Sequence, residues 1–301
     1  MSSLIVQKNL NAATSMLNKS IERMTTGYKI NHAADNAAGY SIATTWKTQL
    51  GSLDVASDNA STGADMLTTL EDTYSLITSH LQRVRDLTEQ AANGTYGSDS
   101  LKAIASEITA RLEEIDRISA NCEFNGLKMM DGSLTDDINL QVGLYSDAAS
   151  RIALDASLFQ NGHVSALFKT FGGVGGATVA EVAKLCSGYD GKQITGGQNE
   201  MLNKIDAVIS EISARTTTLG AAQNRIESAV ESINVQSENI TSSLSTLRDA
   251  DVAEESSNYI KAQILQQASA TLLATANQTP SIALNLSLIH ISEPTRPISI
   301  S

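Results

Sequence analysis

Apolar positions recur at helical spacing through most of the first 120 residues. Val6, Leu10, Ala13, Leu17, Ile21, Met24 and Tyr28 are separated by three or four residues throughout. That spacing predicts an amphipathic helix carrying them on one face. A stricter repeat follows, in which Ala56, Ala60, Gly63, Leu67, Leu70, Tyr74, Ile77, Leu81 and Val84 alternate steps of four and three. This is the heptad pattern, and it predicts that Leu67, Leu70, Tyr74, Ile77, Leu81 and Val84 form an assembly seam facing partner helices. Carried to Ala91, the helix from Ala56 would be about 54 Å long. Asn93-Gly94 marks a stop, and Leu101, Ile104, Ile108, Leu112, Ile115 and Ile118 predict a third helix running back.

The pattern changes after Ala120. Asn125-Gly126 and Asp131-Gly132 are turn dipeptides around the short run Leu127-Lys128-Met129-Met130. Ile138-Asn139-Leu140-Gln141-Val142 alternates and predicts a strand, with Arg151-Ile152-Ala153-Leu154 a weaker second one. Nine of the nineteen glycines lie between Gly162 and Gly197, including the run Gly172-Gly173-Val174-Gly175-Gly176. Such a stretch predicts a loop-rich insertion rather than core. Helical periodicity returns near Met201. Leu219, Ala222, Ile226, Ala229, Ile233, Ser237, Ile240, Leu244 and Leu247 keep the three-four spacing, and Ile260, Ile264, Ala268 and Leu272 extend it towards Pro280.

The expected fold is therefore mainly α: an elongated antiparallel helical bundle or coiled coil of the N- and C-terminal helices. It has a short β-hairpin region and a small variable insertion. The middle is too small and too glycine-rich to cover the apolar faces on either side. Those faces must pack on each other, within one chain and between chains, which predicts self-association.

Composition supports long helices. All three prolines lie at position 280 or beyond, and aromatic residues make up only 4% of the chain. The core must be built from Ala, Leu, Ile and Val. Net charge is −12, which argues against nucleic acid and anionic membrane as partners. No apolar run is long enough to span a bilayer. Met1–Lys8 lacks the charged start, apolar stretch and cleavage site of a secretory signal, so the chain is expected to be cytosolic or exported by a route without a cleavable signal. Cys122 and Cys186 lie in different regions with no metal-ligand spacing and read as two unrelated thiols.

Catalytic chemistry has no residues to stand on. His32, His80, His163 and His290 are scattered, and none belongs to an HExxH-type pair. Gly191-Lys192 is followed by Gln193, so it is not a phosphate-cradling loop. Glu113, Glu114 and Asp116 read as a solvated helix face. No catalytic, cofactor-binding or metal site is expected.

Several ordered motifs resemble the bacterial flagellins. In the N-terminal part they are Leu10-Asn11, Ile21-Glu22-Arg23-Met24-Thr25-Thr26-Gly27-Tyr28-Lys29-Ile30-Asn31 and Ala34-Asp35-Asn36-Ala37-Ala38-Gly39-Tyr40-Ser41-Ile42-Ala43. Leu81–Leu87, Ala91–Gly94, Glu107–Leu112 and Phe124–Gly132 continue them. The C-terminal part adds Leu219–Glu227, Glu238–Ile240, Arg248–Asp251, Gln263–Ala268 and Ala276–Pro280. The resemblance covers roughly residues 1–154 and 200–286.

That resemblance implies a structural subunit that polymerises into the flagellar filament for motility. Residues 1–45 with 252–286 would be terminal helices of an inner tube, and 46–154 with 200–251 a rod domain with its β-hairpin. Residues 155–199 would be a small glycine-rich outer region. Implied partners are further copies of the chain, a flagellar secretion chaperone at Asp251–Leu286, and hook-associated and cap proteins. A host flagellin-sensing Toll-like receptor would meet the patch matched here by Gln82, Arg83, Leu87, Glu107 and Arg111, which also serves as a rod contact. The implied location is extracellular, reached by type III export without a cleavable signal.

Three departures from the family pattern stand out. Asp35-Asn36 replaces the usual acidic pair, which is expected to perturb that segment mildly. Two cysteines occur where such chains mostly avoid them. Residues 287–301 run past the family's usual end with prolines and no helical pattern, and read as a non-native tail. Two other readings compete. A hook–filament junction adaptor would show weaker signatures and a larger middle, and a metallopeptidase in a flagellin frame would need HExxH within 155–199.

Overall fold

The computed structural model describes residues 2–168, 178–188 and 198–291. Among these the order is α1 (Ser2–Thr26), α2 (Ala37–Ala92), α3 (Ser98–Asn121), β1 (Glu123–Phe124), β2 (Leu127–Lys128), β3 (Ile138–Gln141), β4 (Arg151–Leu154), α4 (Val164–Leu167), α5 (Val179–Ser187), α6 (Gln198–Arg248) and α7 (Val252–Ile291). Two compact units are formed. One takes the residues up to Thr48 and from Asn239 onward; the other is Gln49–Glu238. Both α2 and α6 supply residues to each.

In the terminal unit, α1 packs antiparallel on α7. Its seam follows the predicted stripe on α1 as far as Leu17 and departs from it on α7. The covered positions on α1 are Ser3, Val6, Leu10, Ala13, Leu17 and Ser20, and on α7 they are Glu255, Tyr259, Ala262, Gln266, Ser269, Leu273 and Ala276. Both sets alternate three and four, so the coiled-coil reading holds. On α1 the predicted Val6, Leu10, Ala13 and Leu17 lie in the seam, while Ile21 and Met24 are exposed; on α7 the face is another one, with Ile260, Ile264 and Leu272 pointing to solvent. Polar bonds run along the true seam, from Ser3 Oγ to Asn277 Oδ1 at 2.9 Å and from Gln266 Nε2 to Thr14 Oγ1 at 3.2 Å.

α1 ends at Thr26, before the predicted Tyr28, because Gly27 turns the chain at φ +73°. Tyr28 then forms an antiparallel bridge with Asp249. Lys29 N donates to Arg248 O at 2.7 Å and Ala250 N to Gly27 O at 2.9 Å. The Arg248 guanidinium lies 4.0 Å over the Tyr28 ring. Asp35 accepts from the backbone N–H of Asn31 and of His32 and pairs with Lys19 at 2.7 Å. Asn36 caps α2, its Oδ1 accepting from Gly39 N at 2.9 Å. The departure at Asp35-Asn36 is thus an ordered helix start.

In the Gln49–Glu238 unit the predicted seam is fully used. Leu67, Leu70, Tyr74, Ile77, Leu81 and Val84 are all buried within this one chain, in a core with Ile108, Leu112, Ile115, Ile205, Val208, Ile212, Leu219 and Ile226. They are therefore not the surface left for assembly. The helices of one chain already supply the holes those side chains fill. Tyr74 hands its hydroxyl proton to Leu158 O at 2.8 Å. Two antiparallel hairpins follow α3, β1–β2 and β3–β4. The second is tied to α2 through Asn59 Nδ2 and Gln141 O at 3.1 Å.

The predicted loop-rich insertion needs correction where it is described. Phe159, Val164, Leu167 and Phe168 are buried, and α5 packs on α3 with its Val182, Ala183 and Cys186 buried. Local signals explain α5: Thr178 and Glu181 form a reciprocal capping box, and Gly188 closes the helix in the left-handed region. The glycine run 172–176 and Gly191-Lys192-Gln193 lie outside the described residues. At the other end α7 continues through Pro280 to Ile291, so 287–291 is helical where no helix was expected. Residues 292–301 lie outside the described ones.

Candidate functional site

The terminal unit presents its large apolar side chains outwards. On α7, Ile260, Ile264 and Leu272 are 54%, 60% and 59% exposed, and Leu265 joins them. On α1 the exposed set is Leu4, Ile5, Met16, Ile21 and Met24. The seam between the helices is meanwhile occupied by Ser20, Gln266, Ser269 and the ion pair of Arg23 with Glu255, at 3.5 Å. A lone pair of helices in water would bury its isoleucines and expose its glutamines. On α7 this leaves a contiguous apolar stripe through Ile260, Ile264 and Leu265 uncovered.

The two units also differ in charge. Gln49–Glu238 contains 13 basic and 26 acidic residues, whereas the remainder contains 8 and 7. The whole excess of negative charge lies on the middle unit, and the apolar stripes lie on the near-neutral one. Close approach of copies through the terminal helices therefore meets little Coulomb repulsion.

The five expected contact residues do not form one patch. Arg83 Nε donates to Glu107 Oε1 at 3.0 Å, and Arg111 lies 3.9 Å from the same carboxylate oxygen. These three side chains are exposed and make one cluster across α2 and α3. Gln82 faces a different way, into a groove with Glu71, Ser75, Thr78, Ser213 and Thr216. Leu87 is buried at 2% exposure and presents nothing to a partner. It follows Val84 by three residues, so the heptad already places it in the core. Next to the cluster, His80 has its pKa lowered, first by burial and then by the Arg111 charge.

The cysteines are free, buried thiols. Cys122 donates to Thr73 Oγ1 at 3.4 Å. Burial pushes the Cys186 thiol up to about 12, so it stays protonated and unreactive at neutral pH. Among the described residues no group of His, Cys, Asp and Glu could hold a metal ion. No described helix is long and apolar enough to cross a membrane.

The chain's relatives place it in a family. Residues 1–135 match the bacterial flagellin N-terminal helical region, and 202–286 match the bacterial flagellin C-terminal helical region. The chain is 33% identical to a flagellin of Bacillus subtilis, over 92% of this chain and 94% of that one. It is 32% identical to a flagellin of Listeria innocua, over 94% and 96%. A putative flagellar hook-associated protein of Vibrio parahaemolyticus shares the fold, with TM-score 0.60 at 12% identity over 71% of this chain and all of that one. The chain therefore belongs to the bacterial flagellin family, non-enzymatic structural subunits that assemble into the extracellular flagellar filament.

Proposed function

We propose that the exposed stripes of α1 and α7 are the surfaces through which copies of this chain pack in the filament that drives swimming. One observation carries this reading: Ile260, Ile264 and Leu272 are exposed while Gln266 and Ser269 occupy the intrachain seam. Residues 1–45 with 252–286 would then line an inner tube, surrounded by 46–154 with 200–251, with 155–199 outermost. Seeding purified protein with filament fragments tests it. Ile260→Asp with Ile264→Asp should leave a folded monomer that does not elongate seeds in electron micrographs. Normal elongation by that variant would overturn the reading.

The same stripe suits a secretion chaperone, which would cover Asp251–Leu286 before type III export without a cleavable signal. Cap and hook-associated proteins would meet the same termini at the filament's ends. The cluster of Arg83, Glu107 and Arg111 supports recognition of the monomer by a flagellin-sensing Toll-like receptor. A surface buried on polymerisation is open only on the monomer, so rod contact and receptor contact are compatible uses of one cluster.

A further inference from the structure

The sequence contains three Asn-Gly pairs, at 93–94, 125–126 and 161–162. In such a pair the glycine nitrogen can attack the asparagine side chain, because no Cβ blocks its approach. The fold treats the three differently. Asn161 is held at both ends: Oδ1 accepts from His163 N at 2.8 Å and Nδ2 donates to Asp131 O at 3.3 Å. The Gly162 nitrogen donates to Met130 O at 2.9 Å, and a Cβ there would lie 2.5 Å from Met130 Cε. Asn125 and Gly126 sit at φ +48° and +83° in the turn that closes β1 onto β2, their torsions set by the Phe124–Leu127 pairing.

Asn93-Gly94 is held less: its backbone closes a turn, with Asn93 N donating to Gln90 O at 3.2 Å and Tyr96 N to Asn93 O at 3.3 Å, but the two nitrogens that would react are not engaged. It lies in the exposed connection between α2 and α3, with open space around Gly94. Among the described residues no acceptor meets the Gly94 N–H, and none holds the Asn93 amide nitrogen. The bond that the Asn93 side chain makes is helpful. Thr95 N donates to Asn93 Oδ1 at 3.3 Å, closing a ring that contains both Asn93 Cγ and Gly94 N. The same donor stabilises the charge that develops on Oδ1 as Cγ becomes tetrahedral.

We propose that Asn93 is a self-modifying site, converted by its own neighbouring peptide into aspartate and isoaspartate. A bond forms from Gly94 N to Asn93 Cγ. The Cγ–Nδ2 bond breaks, and Nδ2 leaves as ammonia with the proton from Gly94 N. Solvent water then opens the succinimide ring. Addition at Cγ gives aspartate; addition at the Asn93 backbone carbonyl carbon gives isoaspartate. Either product adds a negative charge just past the C-terminal end of α2, where the helix dipole disfavours it.

Incubation of the full chain in mildly alkaline buffer tests this, with peptide mapping by mass spectrometry and isoaspartyl methyltransferase labelling. Tryptic peptides 86–102, 118–128 and 152–169 report the three pairs separately. In the native protein, conversion should concentrate in 86–102. In guanidinium-unfolded protein all three should convert at similar rates. Gly94→Ala should slow conversion at Asn93 about tenfold, equivalent to about 1.4 kcal/mol in the barrier. Native protein in which Asn93 converts no faster than Asn161, or a Gly94→Ala chain that converts at the native rate, would overturn the proposal.

Discussion

Leu140 on β3 fills the space that a side chain at position 63 on α2 would need. A Cβ added to Gly63 would lie 2.3 Å from Leu140 Cδ1 and 3.2 Å from Cδ2. The heptad position held by Gly63 is thus a socket for the hairpin. In an open helix Gly→Ala gains up to about 1 kcal/mol. Here overcrowding costs about 1–3 kcal/mol, so Gly63→Ala is expected to lower urea stability. Adding Leu140→Ala should relieve the clash, leaving the double variant about 1 kcal/mol better than additivity.

Leu67 and Ile260 make a matched pair of opposite outcomes. Leu67→Ala empties a fully buried site and should cost about 2–5 kcal/mol in the monomer, read as a lower melting temperature. Ile260→Ala removes an exposed side chain and should leave monomer stability within about 0.5 kcal/mol. Seeded elongation should show the reverse sensitivity, failing first for Ile260.

The terminal helices should order fully only in the polymer. Their seam mixes Val6, Leu10, Leu17 and Leu273 with polar and small residues and covers most of them only partly, which offsets little of the entropy lost on ordering two long helices. Circular dichroism is expected to give higher helicity for filament than for monomer. Deleting 2–26 or 252–286 should abolish filaments while the Gln49–Glu238 unit keeps a cooperative melt.

Acid should loosen the start of α2. The Asp35 pKa is lowered from 3.8 to about 2, chiefly by Lys19 and then by the backbone N–H of His32. A depressed carboxylate pKa stabilises the folded state above the unfolded value and loses that contribution as pH falls through the folded one. The window is therefore about pH 4 down to about 2. Asp35→Asn should remove that part of the acid titration, followed by hydrogen exchange at Asn31 and His32.

Receptor recognition is expected to hinge on Arg83 rather than Leu87. Arg83→Ala should weaken monomer binding by about 2 kcal/mol. A polar replacement at Leu87 should instead report itself as lost stability. Unchanged receptor activation by Arg83→Ala would remove this cluster from the recognition surface.

Much of this architecture is legible in the sequence because the heptad in the middle unit is filled by large apolar residues. Leu67 through Val84 mark their own face. The terminal unit is legible only in part: Val6 to Leu17 mark the α1 seam, but on α7 the most hydrophobic periodic residues, Ile260, Ile264 and Leu272, are the ones held outwards. Ser20, Gln266 and Ser269 keep the same three-four rhythm, but no rule from composition would put them inside. Arg23 and Glu255, 232 positions apart, become partners only once the helices are laid together. The burial of Phe159 and Phe168 was masked by nearby glycines, although Thr178 with Glu181 was a readable capping box. Leu87 shows a different limit, since a motif match names positions without saying which of them are covered.

The bridge between Tyr28 and Asp249 also has a meaning in time. The contacts described for α1 reach across most of the chain, up to a separation of 274 residues for Ser3 and Asn277. At a synthesis rate of about 5–20 residues per second, α1 waits roughly 10–50 s for α7 to exist. The first of these helices to be made is the last to find its mate. Through that interval Val6, Leu10, Ala13 and Leu17, which the finished pair covers, are open to whatever apolar surface arrives first.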